Sequence, residues 1–302
     1  MKNILITGAT GNVGIEVVKE LQKINHSFNI YVGVRDLEIE HQKLIDYKVN
    51  FVMFDFTDEN TYKLALQNCD ILFLLRPPNI SDVNKYFKPL IAEAKDVGVK
   101  HIVFLSVQGV EKSKIIPHYK IEKLIIYSRI SYTFLRPAYF MQNFTTTLQS
   151  DIINKNIIYL PAGNAGFTII DVGDIGAVAA KILIETEQHV NKSYELTGSE
   201  KLTFYDMARQ LSEILQTQIN YKSPNLFSFY LTKKREKMPT PLIFVMMMLH
   251  YLPQFQKEPV ITNWVEKITE KSPILFKQFI AKNKSLLTLK KANEIVKVKI
   301  EG

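Results

Sequence analysis

A chain of 302 residues, 46% hydrophobic and 23% charged with no long low-complexity tract, can hold one large α/β domain and a smaller appended region. Its single cysteine, Cys69, excludes an internal disulfide framework and a cysteine-rich zinc site, and its place before the apolar run Ile71-Leu-Phe-Leu-Leu75 reads as a buried, inert thiol. The net charge of +8 lies wholly in the last quarter, where residues 232–302 carry 14 Lys and Arg against 6 Asp and Glu; with no nucleic-acid motif beside them, these basic residues and the interleaved Trp264, Phe276 and Phe279 read as solvated helix faces, and no nucleic-acid partner is expected.

Met1-Lys2 leads directly into an apolar strand, without the charged segment, apolar core and cleavage site of a secretory leader. The strand ends in three glycines spaced as Gly8-x-x-Gly11-x-x-Gly14, and Val13, Val17, Val18 and Leu21 then recur at helical spacing. A glycine-rich turn between a buried strand and an amphipathic helix is the setting of a dinucleotide site. Gly8 permits the tight turn, Gly11 lets the backbone approach a pyrophosphate, and Gly14 lets the helix pack close to the sheet. The N–H groups of the first helical turn then face the phosphates.

Further apolar runs near Phe28–Val34, Asn50–Phe54, Ile71–Leu75, His101–Ser106 and Tyr132–Leu135 read as strands, each followed by a segment of helical length. This alternation predicts right-handed crossovers and an α/β, Rossmann-type doubly wound parallel sheet, with ligands bound beyond the carboxyl ends of the strands. The residues after each strand fit that expectation. Arg35 follows the second strand, where a guanidinium can hold the 2′-phosphate of NADP, so NADPH is expected to be preferred over NADH; Asp36 beside it keeps a plain surface pair as the alternative. Asp55 and Phe56 follow the third strand and could bracket the adenine, or Asp55 could begin the next helix. Leu75 ends the fourth, and Arg76-Pro-Pro78 makes a stiff loop along the cofactor. Ser106 follows the fifth.

Thr7-Gly-Ala-Thr-Gly-Asn-Val-Gly14, Val34-Arg-Asp36, Phe104-Leu-Ser106, His118-Tyr-Lys-Ile-Glu-Lys-Leu124 and Tyr132-Thr-Phe-Leu-Arg-Pro-Ala-Tyr-Phe-Met-Gln-Asn-Phe144 together resemble the short-chain dehydrogenase/reductase superfamily, and more narrowly its atypical NmrA-like branch. Phe167-Thr-Ile-Ile-Asp-Val-Gly-Asp-Ile175 and Tyr194-Glu-Leu-Thr-Gly198 fit it as well. The resemblance covers roughly residues 1–220 and implies an NAD(P)-binding Rossmann domain over residues 1–155, with a smaller, mainly helical substrate region over 156–302 partly interleaved with it. The cofactor set it implies is Gly8, Thr10, Gly11, Asn12, Val13, Gly14, Arg35, Asp55, Phe56, Leu75, Arg76, Pro137 and Phe140. For catalysis two registers remain open. Ser106, Tyr119 and Lys123 match the superfamily's Tyr-x-x-x-Lys pair, in which the lysine lowers the tyrosine pKa and the tyrosine protonates a carbonyl oxygen. Alignment on Glu122 and Tyr132 instead puts His118 and Glu122 at the pair's place, with Glu122 one helical turn on, orienting the imidazole; His118 could also merely cap its helix.

Relatives of that branch include NADPH-dependent quinone and dye reductases and regulators that bind the cofactor without known turnover. The expected function is therefore an NADPH-dependent oxidoreductase that passes hydride to a small conjugated acceptor such as a quinone; a regulatory NADP(H) sensor is the alternative, and a nucleotide-sugar epimerase fits the His118–Glu122 register less well. Asp171 and Asp174 read as caps of a helix. Tyr139, Phe140 and Phe144 read as nicotinamide or pocket lining, or as aromatic core. The apolar stretch 224–252, rich in Phe and Met, reads as the lining of the acceptor pocket or as a contact in a homodimer. Its longest uninterrupted part falls short of the roughly 18 residues of a membrane span, so a cytoplasmic location is expected. His26, His41, His101, His189 and His250 lack metal-ligand spacing, and no metal is assigned.

Overall fold

The computed structural model describes residues 2–24 and 27–288, apart from the side chains of Ile39 and His41. His26 and the basic residues Lys290, Lys291, Lys297 and Lys299 lie outside the described residues. Strands β1 (Asn3–Thr7), β2 (Asn29–Val34), β3 (Asn50–Met53), β4 (Ile71–Leu75), β5 (His101–Leu105) and β6 (Ser131–Pro137) alternate with helices α1 (Asn12–Lys23), α2 (Leu37–Leu44), α3 (Asn60–Leu66), α4 (Lys88–Asp96) and α5 (Pro117–Ser128). These are the strands expected from the apolar runs, to within about two residues at either end. The chain next builds β7 (Tyr139–Phe140), α6 (Gln149–Lys155), β8 (Ile157–Tyr159) and β9 (Phe167–Ile170) in a second compact unit, then returns to the first for α7 (Val172–Ile184) and β10 (Lys192–Leu196). It resumes the second with β11 (Lys201–Leu202), α8 (Phe204–Leu215), β12 (Asn220–Lys222), α9 (Leu226–Arg235) and α10 (Thr240–Tyr251), adds α11 (Trp264–Thr269) to the first, and ends in the second with α12 (Phe276–Lys282) and α13 (Lys284–Thr288).

A division at residue 155 therefore does not describe the units. Among the described residues, the first comprises those of 2–138, 172–197 and 262–273; the second comprises 139–171, 198–261 and 274–288. The reason is pairing. β10 completes the first unit's sheet beside β6, and α7 packs on α1, where Gly176 is needed because a Cβ there would lie 2.8 Å from the carbonyl carbon of Glu16.

Among the described residues, seven strands form the first unit's sheet in the order β10-β6-β5-β4-β1-β2-β3, every neighbour parallel. The central strands are buried along their length, as near-continuous Ile, Leu, Val and Phe runs require when helices cover both faces. Winding reverses between β1 and β4, so the connections leaving those two strands part and open a crevice at their carboxyl ends. Cys69 lies in the core below this crevice, its thiol pushed up to about 12 by burial, which makes it inert.

The second unit has its own core of Met141, Phe144, Phe167, Phe204, Phe229, Phe276 and Phe279. Phe276 and Phe279 are fully buried there, and in the first unit Trp264 packs edge-on against Tyr194 at 4.9 Å. Trp264, Phe276 and Phe279 are thus packing groups, not exposed stacking platforms. Among the described residues no helix is long and apolar enough to cross a membrane.

Candidate cofactor and catalytic site

The β1–α1 turn is built from its backbone. Gly8 adopts φ +63°, in the left-handed region, and its carbonyl accepts the Gly11 N–H at 3.0 Å. A Cβ on Gly14 would fall 2.1 Å from that same carbonyl oxygen and 2.7 Å from the Ala9 Cα, so Gly14 serves the closure of the turn itself rather than helix–sheet packing. A Cβ on Gly11 would meet only the Gly8 oxygen, at 3.3 Å; the fold asks much less of this glycine. Gly11 is the residue before α1, no side chain caps the helix, and its first turn holds no acidic residue. The N–H groups of Asn12, Val13 and Gly14 therefore meet no competing carboxylate, and a phosphate fits them. Thr7 fixes the turn to the switch point: its hydroxyl donates to the Phe73 carbonyl at 3.1 Å and accepts the Leu75 N–H at 2.9 Å.

At the end of β2 the Arg35 side chain is exposed and forms no ion pair among the described residues, while its N–H donates to Glu40 Oε2 at 3.1 Å. The Arg35–Asp36 surface pair is absent; the Asp36 carboxylate instead accepts the Glu38 N–H at 2.9 Å. After β3 the expectation of an adenine bracket fails in one part. The Phe56 ring is buried against Phe54 and Phe87, with ring centroids 4.9 and 5.4 Å apart, and cannot lie on a base. The Asp55 carboxylate takes the turn role, accepting both the N–H and the hydroxyl of Thr57 at 2.8 Å.

Arg76 has a use that its place in the sequence does not show. Its Nη1 donates to the carbonyls of Pro77, Pro78 and Ile80 at 2.9, 3.3 and 2.7 Å, which ties the loop into one piece, and its Nε donates to His118 Nε2 at 3.4 Å. His118 Nε2 is thus the acceptor, and the imidazole proton sits on Nδ1. Burial, with the Arg76 charge added to it, lowers the His118 pKa to about 3. This corrects the expectation of a histidine that titrates near neutrality: His118 is a neutral imidazole.

Glu122 does not orient His118. Its buried carboxylate is held bidentately by Arg136 of β6, at 3.0 and 2.7 Å, and Glu111 joins the same guanidinium at 3.6 Å. Arg136 lies inside the motif read from the sequence but had no assigned role; bidentate geometry with a glutamate of the preceding helix could be recognised only once α5 was packed beside β6. In the other register Lys123 stands over the Tyr119 ring, 5.4 Å from its centroid, and the Tyr119 hydroxyl makes no hydrogen bond among the described residues. Ser106 is anchored through its N–H to the Leu135 carbonyl at 2.7 Å, and its buried Oγ has no partner. At the carboxyl end of β5 this hydroxyl is free to donate a hydrogen bond.

Of the remaining expected residues, Pro137 ends β6 in the first unit, buried, with its carbonyl accepting the Gln108 N–H at 3.0 Å, whereas Phe140 belongs to β7 of the second. Tyr139 and Phe144 are core residues of the second unit, Tyr139 in hydrogen-bond contact with His250 at 3.2 Å. Asp174 lies in the first turn of α7, and Asp171 accepts Gln142 Nε2 at 2.9 Å.

The model of the NmrA-like family matches residues 1–251. Among curated proteins, the chain is 31% identical over 220 residues to prestalk A differentiation protein A of Dictyostelium discoideum, covering 73% of this chain and 72% of that one. It is 28% identical over 280 residues to an NAD(P)H azoreductase of Xenophilus azovorans, covering 91% and 96%. Among solved structures it shares its fold with an NADPH-dependent quinone oxidoreductase from Escherichia coli complexed with NADPH, at TM-score 0.83 and 24% identity over 94% of this chain and 99% of that one.

Proposed function

Because the chain belongs to the NmrA-like family, we propose that it is an NADPH-dependent oxidoreductase whose acceptor is a small conjugated molecule such as a quinone. The observation that carries this reading is the β1–α1 turn, where Gly14 is pressed to the Gly8 carbonyl and an uncapped helix start faces the switch point of the sheet. The azoreductase and quinone reductase relatives support the reaction class.

NADPH, once bound, would supply the hydride. The chain's own residues do the rest. The N–H groups of Asn12, Val13 and Gly14 hold the pyrophosphate, and Arg35 meets the 2′-phosphate as a bidentate donor. Ser106 Oγ donates to the ligand that enters above β5. His118, fixed as the Nδ1–H tautomer by Arg76, donates a hydrogen bond to the acceptor oxygen as negative charge develops there, and the proton that completes the product comes from solvent. Tyr119 is outside this set, because its ring, and not its hydroxyl, is what Lys123 engages.

A second reading, an NADP(H) sensor, has one observation in its favour. The 31% identical relative is named for differentiation and not for a reaction. Spectrophotometric NADPH consumption across quinones, enones and azo dyes separates the two: turnover of any acceptor establishes the enzyme, and tight NADPH binding with no turnover across the panel gives the place to the sensor. Calorimetry with NADPH and NADH tests the cofactor choice. Arg35→Ala is expected to narrow the gap by about 1.5–3 kcal/mol, and equal affinities in the unmutated protein would remove Arg35 from the site.

A further inference from the structure

Helix α10 is apolar all round, yet only one side of it is covered. Ile243, Met246 and His250 recur at helical spacing and are buried in the second unit. On the opposite arc Leu242, Val245, Met248 and Leu249 are exposed, and Leu252 and Phe255 in the turn that follows continue the face, all between 42% and 71% accessible. No charged or polar side chain interrupts positions 241–249. A helix with this pattern is ordinarily buried on all sides, and a contiguous exposed face of this kind marks a partner.

Charge names the partner. From Lys237 to Lys257 the chain holds no Asp or Glu. Lys234, Arg235 and Lys237 precede the face and Lys257 follows it; all four are exposed and form no ion pair among the described residues. Their neighbour Lys233 differs: it is buried and paired with Asp151 and Glu236. The cations left over thus flank the apolar stripe at both ends. A second copy docked through the same face would set cation-flanked surface against itself, and the acids beside those cations, Glu236 and Glu258, are already paired with Lys155, Lys233 and Lys201, which leaves little to offset the like charges. A bilayer with anionic headgroups satisfies both features, since its interfacial zone accepts the apolar side chains while its surface charge attracts the lysines and arginine.

We propose that the exposed face of α10, with Lys234, Arg235, Lys237 and Lys257 flanking it, docks the protein reversibly on anionic lipid surfaces. Phosphatidylcholine vesicles with and without one part in three of phosphatidylglycerol, sedimented at low salt with the full-length protein, test this. Binding is expected on the anionic vesicles and not on the neutral ones. Val245→Asp/Leu249→Asp should weaken it by at least about tenfold, and Lys234→Gln/Arg235→Gln/Lys237→Gln/Lys257→Gln by about as much. Both variants change exposed residues, and unaltered melting temperature and NADPH affinity show that they fold. The proposal fails if the unmutated protein stays in the supernatant, or if the aspartate variant binds like the parent, since that is adsorption by net charge alone. It fails equally if analytical ultracentrifugation shows a dimer that the aspartate variant dissociates, which assigns the face to a second copy. A raised Michaelis constant for the acceptor with vesicle binding unchanged assigns it to the small molecule.

Discussion

A methyl group on Gly14 would stand 2.1 Å from the Gly8 carbonyl oxygen, and one on Gly11 would stand 3.3 Å from the same atom. The first overlap is with backbone that cannot yield without opening the turn, so Gly14→Ala should cost about 3 kcal/mol, the upper end for forced overpacking, and lower the melting temperature. Gly11→Ala should melt nearly as the parent does and yet bind NADPH at least about tenfold more weakly, since its methyl occupies the approach of the pyrophosphate. Equal losses of melting temperature in the two variants would make Gly11 a structural glycine and weaken the phosphate reading. At His118 the prediction is a pH profile. With a pKa near 3 the imidazole stays neutral from pH 5 to 8, so turnover should show no break near the ordinary histidine value, and His118→Ala should lower kcat by about 10²-fold with NADPH affinity kept. A bell limb at pH 6.5 that disappears in His118→Ala contradicts the neutral-donor role; loss of turnover in Tyr119→Phe with His118→Ala silent restores the Tyr-Lys register.

Helix α5 is tied to strand β6 by Glu122 and Arg136, and this pair governs how the catalytic helix sits. Arg136→Met leaves the Glu122 carboxylate buried without its partner and should destabilise the protein by about 3 kcal/mol, whereas Arg136→Met/Glu122→Met should recover most of the loss; chemical denaturation of these two variants and of Glu122→Met measures it, and additive losses would show that the two side chains do not interact. This pair also shows where sequence reading stops. Strand positions were legible because a buried parallel strand must be a short apolar run, and the phosphate turn was legible because its glycines are local. The contacts Arg136–Glu122 and Arg76–His118 join residues 14 and 42 positions apart, and they depend on strand order, which no local pattern contains. Phe56 was misplaced for a subtler reason. It lies in the turn that follows β3, where the chain folds its ring back edge-on against Phe54 at 4.9 Å, a turn geometry that the apolar run ending at Phe54 does not contain.

Among the described residues, burial lowers the pKa of His101 to about 4, of His250 to about 4 and of His118 to about 3, and lowers that of His189 as well. His101 lies at the start of β5, at the end of the sheet away from the site, and its Nε2 contacts the Thr133 hydroxyl at 2.9 Å while that hydroxyl donates to the His189 carbonyl at 2.8 Å. In the unfolded chain each would titrate near 6.5, so between pH 6.5 and about 4 the unfolded state binds more protons than the folded one. Stability is therefore full above pH 6.5 and falls as the pH drops through that window. The melting temperature should decline from pH 7 to pH 5, and His101→Gln should flatten part of that slope; a melting temperature constant over this range would show the imidazoles to be charged when folded. The threading of the chain has a consequence in time. A ribosome that has released residues 1–138 has delivered six strands of the sheet but not β10, and β6 then waits with one edge of its backbone unpaired while more than 50 further residues are made. Synthesis order thus sets an interval in which the nascent first unit is an open-edged sheet, and a chain halted before residue 192 is stranded in it, ready to pair with another chain in place of its own last strand.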